Sequence, residues 1–87
     1  MEKKSIFTRE YAVVLRLLRE AREGAGMTQI DLANALKRTQ SFVSKVERGE
    51  TRLDVIQLRA VLAALGTTLP VFIRRLEREI AAEAAHD

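Results

Sequence analysis

Five residues near the middle of the chain, Gln40, Ser41, Ser44, Lys45 and Arg48, carry its most specific chemistry. Their spacing of i, i+1, i+4, i+5 and i+8 gathers them on one side of a helix, with Val43 and Val46 on the other. A glutamine amide can pair in bidentate fashion with adenine, a lysine favours guanine O6 and N7, and a serine hydroxyl accepts several bases. The start of an exposed helix reaches furthest into a major groove. Gln40 and Ser41 are therefore the leading base-reading candidates, with Ser44 and Lys45 behind them. Thr39, Arg48, Thr51 and Arg52, with Lys37 and Arg38 of the preceding turn, are placed to hold phosphates, which position a duplex without reading it. For Lys37 and Arg38 taken singly, two solvated loop cations is the plainer alternative. Phe42 straddles a boundary between core edge and contact with a thymine methyl or sugar. Residues 37–52 hold five basic and two acidic groups, an excess equal to the formal net charge of +3 on the whole chain. Phosphate binding needs clustered charge of this kind, and an ordinary solvated helix face would leave the clustering unexplained.

The elements that must position this strip lie between Thr28 and Gly49, TQIDLANALKRTQSFVSKVERG. Ile30, Leu32, Ala33 and Leu36 make a short apolar-periodic segment, Lys37-Arg38-Thr39 breaks it, and Val43 and Val46 anchor a second. Two short helices joined so tightly cross steeply as a helix-turn-helix. Thr28 and Asp31 form a capping box, with Met27 and Leu32 as its hydrophobic staple. Ala33 is small where the two axes come closest, Thr39 caps the second helix, and Gly49 suits the left-handed residue that ends it.

TQIDLANAL followed by TQSFVSKVERGE resembles the DNA-binding domain of the phage repressor and Cro family, also called the XRE family. The resemblance runs from about Leu15 to about Phe72. It implies an all-α, compact five-helix, lambda-repressor-like DNA-binding domain, here with an extended C-terminal helix. It also implies an ion pair between Arg22 and Glu47 that holds the first helix to the recognition helix, with Arg19 as the substitute cation. Gln29 is the first residue of the capped helix, whose free N–H groups favour a phosphate, and the family residue aligned with it contacts the DNA backbone. Relatives place glycine where this chain has Lys37. A lysine there costs on the order of 1 kcal/mol if its φ is positive.

The remaining sequence frames these residues. Residues 1–7 read as an arm carrying Lys3 and Lys4, and residues 8–85 as one domain with its helix-turn-helix at 28–49. Thr8 caps a first helix whose expected stripe is Tyr11, Val14, Leu15, Leu18 and Ala21, stopped near Gly26. Asp54 and Gln57 form a second capping box ahead of a stripe of Val55, Leu58, Val61, Leu62 and Leu65, ended by Gly66. Pro70 fits the first turn of a last helix over 69–85. On that helix Phe72, Ile73, Leu76 and Ile80 continue an apolar face beyond what the small domain needs, so part of it is expected to pair with a second copy, the alternative being a helix folded wholly onto its own domain.

With 47% hydrophobic and 31% charged residues the chain is globular rather than disordered, and its apolar runs are too short for a membrane span. No apolar signal core follows Met1–Lys4, so a cytoplasmic location is expected. The chain has no cysteine, and His86 is its single histidine. No nucleophile–base pair, metal-ligand cluster or glycine-rich phosphate loop is present, so no enzyme activity and no cofactor or metal are expected. The leading expectation is a transcriptional regulator, chiefly a repressor, that binds double-stranded DNA at a palindromic operator as a homodimer. The alternative is a protein-interaction module, such as an antitoxin that uses one face for DNA and another for a protein partner.

Overall fold

A computed structural model describes residues 8–86 as five helices: α1 Arg9–Gly24, α2 Gln29–Leu36, α3 Gln40–Glu47, α4 Val55–Ala64 and α5 Leu69–His86. The arm of residues 1–7, with Lys3 and Lys4, lies outside the described residues. The all-α class expected from the sequence is the one observed.

Helix starts follow local hydrogen bonding. The side chains of Thr8, Thr28, Thr39 and Asp54 each accept from the backbone N–H three residues on, at 3.0, 3.0, 3.1 and 2.7 Å. Each satisfies one of the donors that a helix N-terminus leaves free. Two are full capping boxes, with Asp31 and Gln57 accepting in return from the N–H groups of Thr28 and Asp54. The turn between α2 and α3 depends on Lys37, which takes φ 56° and ψ 42°. That left-handed geometry lets the N–H of Arg38 reach the carbonyl of Ala33 at 2.9 Å and reverses the chain within three residues.

The core is centred on Leu17 and Leu62, both fully buried, with Val13, Leu18, Leu32, Ala33, Val43, Val61, Leu65 and Phe72 around them. Each such aliphatic side chain contributes about 1.5–3 kcal/mol when removed from water. Three sequence expectations change here. The buried apolar residues of α1 are Val13, Leu15, Leu17 and Leu18, so the expected Leu15 and Leu18 do point inward, whereas Tyr11, Val14 and Ala21 are only half-buried. The stretch VVLRLL is apolar on several sides, so its period alone did not fix the inward direction. Val55, expected in the core stripe of α4, is 60% exposed at the outer end of that helix. Phe72, named as a dimer contact, is 5% exposed and belongs to the protomer's own core.

Leu76 and Ile80 also pack against that core, because α5 folds back along α1. Arg16 meets Glu79 at 3.0 Å and Arg75 meets Glu20 at 2.7 Å across the same seam. These bridges are partly exposed, so they set alignment more than stability. Of the four residues expected at a dimer interface, Ile73 alone is left exposed. Among the described residues no single helix is long and apolar enough to cross a membrane.

Candidate nucleic-acid interface

α3 has two unlike sides. Val43 and Val46 are buried, at 2% and 6% exposure, and fix its rotation against α2, where Ala33 leaves room for close approach. That rotation turns Gln40, Ser41, Lys45 and Arg48 outward, with Ser44 half-buried at the margin. An exposed polar ridge is therefore present on α3, with Ser44 at its edge.

The ridge is held from beneath by a charged network. Arg22 Nε lies 2.6 Å from Glu47 Oε2 and its Nη2 lies 3.2 Å from Oε1, while Nη1 donates to the carbonyl of Met27 at 2.7 Å. Arg19 Nε stands 3.7 Å from the same carboxylate, so the principal and the substitute cation both engage Glu47. Gln29 Nε2 donates to Glu47 Oε1 at 2.9 Å, and Gln40 Nε2 donates to Gln29 Oε1 at 2.9 Å. Residues of α1, α2 and α3 thus converge on one buried carboxylate. Burial pushes its pKa up, but hydrogen bonds from Arg22 and Gln29 and the charges of Arg22 and Arg19 outweigh that and hold it below the ordinary 4.5. The Glu47 hydrogen bond likewise raises the pKa of Arg22 against burial.

The phosphate candidates divide by what they touch. Lys37, Arg38 and Thr39 are exposed beside the start of α3. The Arg38 guanidinium lies 3.7 Å from the centre of the Phe42 ring, a cation–π contact. Phe42 is half-buried and packs against the core, so the core-edge side of its two readings is occupied. Arg48 forms a bidentate pair with Glu50, at 2.9 and 3.1 Å, and donates to the Ser44 hydroxyl. Glu50 raises the pKa of Arg48, and Arg48 lowers that of Glu50. Arg52 lies 4.0 Å over the Tyr11 ring, which ties the segment after α3 to α1. Thr51 is half-buried, and its backbone N–H donates to the Lys45 carbonyl at 3.3 Å.

The sequence reading missed three partners here: Glu50 on Arg48, Tyr11 under Arg52, and Gln29 between Glu47 and Gln40. Only the short spacing from Arg48 to Glu50 was visible in one dimension. The others join residues of different elements.

Comparison with known proteins places this arrangement. A helix-turn-helix family model matches residues 18–72. No curated protein matches significantly. Among solved structures, an XRE-family-like protein from Pseudomonas syringae pv. tomato shares 46% identity over 80% of this chain and 85% of its own, with a TM-score of 0.76. The restriction-modification controller protein C.Esp1396I, solved as a tetramer with its natural 35 base-pair operator, shares 27% identity over 86% of this chain and 99% of its own, with a TM-score of 0.77. The clp gene regulator ClgR from Corynebacterium glutamicum shares 25% identity over 91% and 84% of the two chains, with a TM-score of 0.77. The motif order, the five-helix arrangement and the matched span agree, and the chain belongs to the phage repressor and Cro-like, or XRE, family of helix-turn-helix DNA-binding domains.

Proposed function

We propose that this protein is a transcriptional regulator that binds double-stranded DNA sequence-specifically, as a homodimer on a palindromic operator, and acts chiefly as a repressor. The observation that carries the reading is the outward ridge of Gln40, Ser41 and Lys45, supported by the buried Arg22–Glu47 pair and flanked by exposed cations. In this reading Gln40, Ser41, Ser44 and Lys45 meet base edges, whereas Gln29, Lys37, Arg38, Thr39, Arg48, Thr51 and Arg52 meet phosphates. The solved complex of C.Esp1396I with its operator supports it by likeness. Half-sites read by two such ridges lie about one helical turn apart on one face of the duplex.

Selection from a random duplex pool tests this directly. Gln40→Ala and Ser41→Ala should blur particular base positions, while Arg52→Ala should weaken all sequences alike. Affinity should fall steeply as salt rises, because phosphate contacts release counterions. A flat salt response, or uniform weakening by both classes of variant, would reject the assignment.

Dimerisation is proposed through the side of α5 where Ile73 is 39% exposed and Leu76 and Ile80, three and seven residues on, are half-buried. Ile73→Glu should then shift the protein toward monomer in sedimentation. If it stays dimeric, that apolar side serves another protein, as in the antitoxin reading.

A further inference from the structure

An ionised carboxylate accepts hydrogen bonds and donates none, which gives the chain from Glu47 to Gln40 a direction. Glutamine oxygen and nitrogen are nearly the same size, so an amide can turn over with little steric consequence, and only its partners decide which way it faces. Glu47 requires the NH2 of Gln29, found 2.9 Å from Oε1. Gln29 must then turn its oxygen the other way, toward Gln40. That oxygen in turn requires the NH2 of Gln40, also at 2.9 Å. Gln40 has committed one N–H inward and keeps its oxygen and its second N–H. Glu47 has a side chain only 4% exposed and cannot itself touch a base.

We propose that Glu47 is a positioning residue for sequence reading: acting through Gln29, it fixes the Gln40 amide so that its outward edge offers one acceptor and one donor. That edge complements adenine N6–H and N7, and mismatches the paired acceptors O6 and N7 of guanine. The inference rests on Gln40 contacting a base. It assigns Gln29 a second task beside its phosphate role, and gives the buried ion pair a part in specificity as well as in folding.

Gln29→Lys reverses the relay without orphaning Glu47. The ammonium still pairs with the carboxylate but presents only donors to Gln40, whose amide turns its oxygen inward and its NH2 outward. In selections from a random duplex pool, one position per half-site should change from adenine toward guanine, by a factor of roughly 5 to 150. Gln29→Met should lose the adenine preference without gaining another. Arg22→Lys loosens the same ion pair but leaves Glu47 as acceptor. It should lower the melting temperature while keeping adenine, whereas Glu47→Ala lowers both. In the free protein, the Gln40 side-chain NH2 proton resonances should show a hydrogen bond that Gln29→Lys removes.

If Gln40→Ala abolishes a base preference that Gln29→Lys leaves at adenine, or merely weakens, the relay is wrong and base reading stands. Should Gln40→Ala alter no position, the base-reading assignment fails and the relay with it. An Arg22→Lys preference as blurred as that of Glu47→Ala would mean that a loosened fold, not amide polarity, controls the readout.

Discussion

Two glutamates three residues apart, Glu47 and Glu50, each hold an arginine in a two-point grip, and the likeness ends there. Around Arg22 and Glu47 the side chains are 11% and 4% exposed, and around Arg48 and Glu50 they are 51% and 54% exposed. The buried pair has further partners, the Met27 carbonyl accepting from Arg22 and the Gln29 amide and Arg19 cation facing Glu47, so its charges are answered on every side. It is fixed architecture. The exposed pair competes with water and salt for its arginine, and a phosphate can take the place of Glu50. It is a displaceable cover on a cation of the proposed DNA-facing surface. The same chemical groups therefore fasten helices in one place and leave a contact available in the other, and solvent access makes the difference.

The largest effect should come from breaking the buried pair on one side. Glu47→Ala leaves Arg22 buried without its counter-charge and should cost about 3–5 kcal/mol of unfolding free energy, read from urea denaturation. Replacing both partners, as Arg22→Met with Glu47→Leu, should recover much of that stability. A double variant as unstable as the single one would show that the charges themselves, not their compensation, hold the helices. Acid should reveal the same pair. The folded-state pKa of Glu47 is lowered, so its stabilisation is fully present above its ordinary 4.5 and is lost as pH falls toward the depressed value. Wild-type melting temperature should drop through that window, and Glu47→Gln should flatten the drop. An equal acid slope in both proteins would move the titration to other carboxylates.

A smaller change is expected between the two helices of the motif. Lys37 occupies a left-handed backbone at φ 56°, which glycine adopts without the Cβ penalty. Lys37→Gly should raise stability by about 1 kcal/mol by thermal melting while removing one proposed phosphate contact. A destabilised variant would mean that the lysine side chain itself supports the turn. Smallest is the exposed pair: Glu50→Gln should leave the melting temperature within error and raise DNA affinity by no more than about fivefold, through release of Arg48. Weaker DNA binding on that change would assign Glu50 to orienting Arg48 toward the duplex instead of covering it.

Much of this molecule was legible from neighbours in the chain. Thr8, Thr28 with Asp31, Thr39, and Asp54 with Gln57 announced where four helices begin, and Gly26, Gly49 and Gly66 lie just past the ends of three. The two-sided pattern of α3 was equally visible, whereas the left-handed backbone at Lys37 was raised only by the glycine that relatives place there. The ion pair of Arg22 with Glu47 came from resemblance to a family and not from spacing, and in the structure the two side chains lie 2.6 Å apart.

What the sequence by itself determined is everything governed by hydrogen bonds and periodicity within three or four residues: helix starts, helix stops and the outward polar strip. Those interactions close inside a single element, so one dimension suffices to see them. Only the tertiary structure decided which side of the apolar α1 run enters the core, that Phe72, Leu76 and Ile80 pack against the protomer's own core, and that Gln29 bridges to partners 18 and 11 positions away. Burial, and with it the strength and direction of each polar contact, depends on which elements meet. That meeting is set by the packing of the whole domain and not by any one helix.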